Sequence, residues 1–187
     1  MREKLSLNSV RLCISLALLS LLEGCGGPAK PFHIPPPIAG FEFLFATSDN
    51  QVLAYSIDLN TGALGQPAVA TGPASASSVL LNPAGTFLYV ADPFNQAMDV
   101  FSFNAANGSM TAINGSPFSI QADPLGIAID PTSKFLYAPQ QASPGVNAFN
   151  ISTGALSAVA GSPFLTGAGP AKAIVAPSGS FLYVSDS

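Results

Sequence analysis

Groups able to act as acids, bases or nucleophiles are scarce in this chain, and their spacing limits the chemistry open to it. The one histidine, His33, lies among prolines, where no second residue holds it in the fixed geometry of a nucleophile or an acid-base pair. Asp92, Asp99, Asp123 and Asp130 lack the alternating oxygen-ligand spacing of a calcium loop, and no Cys/His set exists to hold zinc. Asp92 and Asp186 recur at one place in a repeating pattern and Asp130 opens a turn, positions at which a carboxylate bonds turn backbone. No arginine follows Arg11, so the later sequence lacks the natural bidentate clamp for a phosphate. Gly167-Ala168-Gly169-Pro170 precedes no helical pattern and reads as a loop between repeats, not as a phosphate cradle. These residues name no catalytic group, and no motif for a cofactor or a metal is present.

The overall charge narrows the partners. Of 187 residues, 48% are hydrophobic and 9% are charged, against about 25% in an average soluble protein, and the formal net charge is −4. Six basic residues against ten acidic ones argue against a nucleic-acid partner, which requires a positive footprint.

The first residues carry an address. Arg2, Lys4 and Arg11 give a basic start to a leucine-rich, uncharged run at 12–22, shorter than the ~20 residues of a membrane-spanning helix; residues 1–24 read as an export signal. Leu22-Glu23-Gly24-Cys25 resembles the lipobox of bacterial lipoproteins, with Glu23 standing where that family usually has a small or apolar residue. The resemblance implies cleavage before Cys25 and lipidation of its sulfur. Cleavage would discard Cys13 and leave no second thiol for an intramolecular disulfide. Two or more acyl chains hold a protein stably at a membrane, so the expectation is an exported protein, lipid-anchored in the bacterial cell envelope. Residues 25–40 contain Pro28, Pro31 and Pro35-Pro36-Pro37 and favour an extended polyproline tether. At about 3.1 Å per residue, such a tether reaches about 45 Å.

Residues 41–187 repeat. Phe43-Leu44-Phe45-Ala46, Phe87-Leu88-Tyr89-Val90, Phe135-Leu136-Tyr137-Ala138 and Phe181-Leu182-Tyr183-Val184 recur about every 46 residues. Three further markers keep the same phase. Gly62, Gly108 and Gly154 lie in Asn60-Thr61-Gly62-Ala63-Leu64 and its counterparts; Gly115-Ser116-Pro117-Phe118 returns as Gly161-Ser162-Pro163-Phe164; and Asn82-Pro83-Ala84-Gly85 returns as Asp130-Pro131-Thr132-Ser133 and Ala176-Pro177-Ser178-Gly179. The apolar runs are short, rich in aromatic and β-branched residues, and bounded by Gly, Pro, Asn or Asp, so each repeat reads as four strands. In the second repeat these fall at 77–81, 86–91, 98–103 and 110–113. Antiparallel four-stranded units of this period predict an all-β protein, a β-propeller of about three repeats; a two-sheet sandwich is the alternative.

The aromatic strands, the Asn-Thr-Gly-Ala-Leu turn and the Gly-Ser-Pro-Phe element together resemble the lactonase-like seven-bladed propellers, related to YVTN repeats and bacterial 6-phosphogluconolactonase. The resemblance covers 41–187. It implies about seven blades, whereas about three fit here and the pattern stops within a repeat at Val184-Ser185-Asp186-Ser187. The expectation is therefore the N-terminal part of a longer protein or a truncated one, with open strand edges that would favour self-association.

The markers that carry the resemblance are strand and turn elements, so they speak to fold and not to reaction. Loops at 92–97, 119–124, 139–145 and 166–170 are expected on one propeller face, where Asp92, Phe94, Gln96, Gln140 and Gln141 are the residues best suited to meet a protein or a small polar ligand. Two functions follow: a lipoprotein displaying a propeller for binding or scaffolding, or a lactonase-like hydrolase with catalytic residues in further blades.

Overall fold

Alternation of side chains across short apolar strands gives this chain several small sheets that pack face to face on their neighbours. The computed structural model describes residues 42–48, 50–73, 75–120 and 123–186. All lie in the unit Pro37–Ser187. The signal region, Cys25, the proline tether and His33 fall outside the described residues.

Among the described residues there is no helix. The first sheet holds β1 (Glu42–Ser48), β2 (Gln51–Ile57) and β3 (Ala68–Thr71) in that order. The second has the order β4 (Ser78–Leu81), β5 (Phe87–Asp92), β6 (Ala97–Asn104) and β7 (Ser109–Ala112), with β8 (Phe118–Ser119) also on β6. The third repeats that plan with β9 (Ala128–Ile129), β10 (Phe135–Gln140), β11 (Gly145–Asn150) and β12 (Ser157–Ala158), and β13 (Phe164–Leu165) on β11. The fourth pairs β14 (Pro170–Val175) with β15 (Leu182–Asp186). Every ladder is antiparallel, and within each sheet consecutive strands are neighbours except at β8 and β13, which return to β6 and β11. Separate sheets, each matching one repeat, are blades of a propeller and not the two faces of a sandwich.

Period two decides where each residue goes. In the second sheet, Leu88, Val90 and Phe101 pack toward Val52 of the first sheet, whereas Tyr89, Ala91, Met98 and Val100 pack toward Leu136, Ala138 and Phe149 of the third. The core is thus a series of interfaces between blades.

The recurrence of the aromatic strand and the turn glycine in one phase has a packing cause. Gly108 (φ +74°) and Gly154 (φ +87°) close the turns after β6 and β11, a backbone conformation costly for any side chain. The ring of Phe43 lies against Gly108 and that of Phe87 against Gly154, so a Cβ at Gly154 would stand 2.5 Å from Phe87 Cε1. The buried Tyr89 Oη adds a hydrogen bond to the Gly154 carbonyl at 3.1 Å. Each aromatic strand therefore covers the turn of the following blade, and the two markers cannot drift apart.

The structure refines the expected fourth strand. It is split into β7 and β8 in the second blade, and into β12 and β13 in the third, by the Gly-Ser-Pro-Phe element with cis Ser116-Pro117 and Ser162-Pro163 bonds. Proline has no N–H for the ladder, and the break leaves the middle strand short of an acceptor. The serine fills it: Val100 N–H donates to Ser116 Oγ, and Ala148 N–H to Ser162 Oγ, both at 2.9 Å.

Candidate functional site

The turns before the aromatic strands use their polar residues on backbone. Asn82 Oδ1 accepts from Thr86 N and Phe87 N at 2.9 and 3.0 Å. Asp130 Oδ1 accepts from Lys134 N and Phe135 N at 2.7 and 2.6 Å, and its other oxygen from the Thr132 amide and hydroxyl. Burial alone would raise the Asp130 pKa, but these donors together hold it below the usual value. Asp130 is a structural carboxylate.

The residues expected in contact loops separate into two groups. Phe94, 80% exposed, and Gln141 project into solvent. Gln96, in the turn after β5 (φ +51°), donates through Nε2 to Asp123 Oδ1 at 3.3 Å and accepts the Ile120 amide on its carbonyl at 3.0 Å. Asp92 and Gln140, by contrast, are not loop residues. Each is the last residue of its strand, because the ladders run on to Asp92↔Ala97 and Gln140↔Gly145, and they are only 1% and 8% exposed. Asp92 accepts from the Asn95 backbone at 3.1 Å and from Asn95 Nδ2 at 2.6 Å.

Asp92 and Gln140 occupy the same place in consecutive blades, and each has a polar companion across the ladder that belongs to no sequence motif. Val90 pairs with Asp99, and the equivalent Ala138 pairs with Asn147. Asn147, 6% exposed, reaches back to the preceding blade and donates Nδ2–H to the Ile120 carbonyl at 3.1 Å. Asp99 has no proton to donate when ionised, and burial together with the charge of Asp92 raises its pKa to about 6. One polar residue inside an apolar strand, at Met98-Asp99-Val100 and Val146-Asn147-Ala148, was the signal available in the sequence.

The amide pair opens into a cavity of about 420 Å³ between the second and third blades. Ser119 and Ile120 supply one side, and Gln140, Asn147, Phe149 and Ser162 the other. None of the lining residues is charged. A second hollow of about 500 Å³, between the third and fourth sheets, is apolar and lined by Phe135, Tyr137, Val146, Phe164, Leu182 and Val184. Among the described residues no group of His, Cys, Asp and Glu is arranged to hold a metal ion.

The described blades match a known family. Residues 43–166 fit the model described as lactonase, seven-bladed β-propeller. The chain belongs to this lactonase family. Among solved structures, this lactonase-family propeller resembles a candidate 6-phosphogluconolactonase from Bacteroides uniformis, with 20% identity and a TM-score of 0.61, covering 76% of this chain and 48% of that one. It also resembles a protein from Lactobacillus plantarum (25% identity, TM-score 0.60, 71% and 40% covered) and the periplasmic gluconolactonase of Pseudomonas aeruginosa (19%, 0.56, 73% and 37%). The chain thus spans less than half the length of each of these proteins. No curated protein matches the sequence.

Proposed function

We propose that this lactonase-family chain is a bacterial cell-envelope lipoprotein, held by lipid on Cys25, whose described blades present a binding surface and contribute no catalytic group. The observation that carries this reading is the chemistry of the polar cavity. It is lined by carboxamides, hydroxyls and Phe149, and the described residues contain neither histidine nor arginine to serve as a base or a phosphate clamp. The address rests on the lipobox-like Leu22-Glu23-Gly24-Cys25, which follows a basic start and an uncharged leucine-rich run. Intact mass of the native protein, extracted from its host's membranes with detergent, tests the anchor: the reading expects acyl mass on a chain beginning at Cys25, and an unlipidated chain would overturn it.

Family membership favours a second reading, a lactone hydrolase whose catalytic groups lie in blades beyond those described. Hydrolysis of sugar lactones by the full-length protein, measured against the spontaneous rate, separates the two. Turnover above that rate supports the hydrolase and removes the purely binding function.

A further inference from the structure

The cavity between the second and third blades has unused hydrogen-bonding capacity of one kind. Gln140 is 8% exposed and lines the cavity, and among the described residues its side-chain carboxamide has no hydrogen-bond partner. Asn147 spends one N–H on Ile120, and among the described residues its Oδ1 has no partner. Ser162 Oγ accepts from Ala148 and retains its own proton to donate. Among the described residues no buried side-chain N or O atom lacks a partner, so the unbonded atoms of this lining are open to solvent, and a ligand gains where its own matched hydrogen bonds and apolar contacts replace that water.

The ligand's chemistry follows from what is absent and present in the lining. No side chain there is positively charged, so an anion gains nothing, and none is a carboxylate, so a cation would lose its hydration without a counter-charge. Each carboxamide offers a donor and an acceptor in one plane, which fits a pair of adjacent hydroxyls. Phe149 and Pro163 add apolar surface for the C–H face of a ring. The volume, about 420 Å³, lies within the range of small-molecule sites.

We infer that this cavity binds a neutral pyranose-sized polyol, with the Gln140 carboxamide and Asn147 Oδ1 bonding adjacent hydroxyls. The same place in the preceding blade carries Asp92 and Asp99 and is not such a site. The inference rests on the binding reading above and names its ligand class.

The experiment is calorimetric titration of the full chain with the methyl pyranosides of glucose, galactose and mannose, and with gluconate as the anionic control. At least one neutral glycoside binds, and gluconate binds more weakly. Gln140→Leu weakens that glycoside about tenfold or more, the effect of leaving a ligand hydroxyl unpaired. Because the Gln140 side chain bonds none of the described residues and its backbone ladder is kept by leucine, the variant's thermal unfolding stays close to that of the parent. Where Gln140→Leu does not fold, Ser119→Ala, on an exposed lining residue, serves as the second variant and also weakens binding. Failure of all three glycosides to bind, tighter binding of gluconate, or unchanged affinity in the folded variants overturns the inference. A lipidated protein that binds no glycoside removes this ligand alone; a glycoside-binding protein without lipid removes the anchor alone.

Discussion

Two interfaces of this propeller share a backbone and differ in chemistry. Between the first and second blades, Phe103 meets Phe43 and Phe45 edge-on at 5.1 Å, and the polar places are held by Asp92 and Asp99. Between the second and third, Tyr89 bonds the Gly154 carbonyl and the same polar places hold Gln140 and Asn147. The amide at 147 can donate to the preceding blade, and the acid at 99 can do so only when protonated. Repetition thus fixes where a residue points, and single substitutions within the repeat decide whether two blades are tied together by a hydrogen bond or strained by a buried charge.

The contact common to both interfaces gives the largest expected effect. Gly154→Ala forces a side chain into a left-handed backbone and into the ring of Phe87, and costs about 3 kcal/mol in urea unfolding. Gly62→Ala, with similar φ and open space around it, costs about 1 kcal/mol. Equal losses at the two glycines would show that the ring contact is not what holds the markers in phase.

Exchanging the polar chemistry sharpens the comparison next. Asn147→Asp removes the donor to Ile120 and costs about 2 kcal/mol at neutral pH, and less in acid where the new carboxyl is protonated. Asp99→Asn acts in the opposite direction. The pKa of Asp99 in the folded protein, about 6, lies above that of an ordinary exposed carboxyl, so its proton's stabilisation is complete below the ordinary value and is lost as pH rises through the higher one. The asparagine variant is therefore more stable than the parent at pH 7, by about 1 kcal/mol once solvent screening of this partly exposed group is counted, and equal to it near pH 3. Thermal unfolding across that range checks the sign.

The smallest effects fall on the patched outer strands. Ser116→Ala and Ser162→Ala each leave one backbone N–H without its acceptor and cost about 1 kcal/mol, nearly the same in both blades. A large difference between them would mean that the two Gly-Ser-Pro-Phe elements are not equivalent.

The blades were legible in the sequence because their markers are bound together physically. Phe87 covers Gly154 and Asn82 caps its own strand, so the spacing of these residues records contacts, and the strands of the second blade fall within a residue of expectation. Composition could not reveal that Ser116 and Ser162 stand in for a strand, since a serine beside a proline reads only as a turn. The site was half legible. By sequence Gln140 falls in a loop that follows the aromatic strand; in β10 the ladder instead continues through Pro139 to Gln140. Asn147 escaped notice because a single amide in an apolar strand has no motif, and only superposing the repeats sets it beside Asp99.

The most direct test of this account is to map where a neutral sugar acts on the protein, by following the side-chain amide signals of Gln140 and Asn147 by NMR as a methyl pyranoside is added. The account predicts saturable shifts of both amides and of the Ser119 and Ser162 backbone, with the residues around Asp92 and Asp99 unmoved. Absent shifts, or shifts centred on the acidic pair, would contradict it.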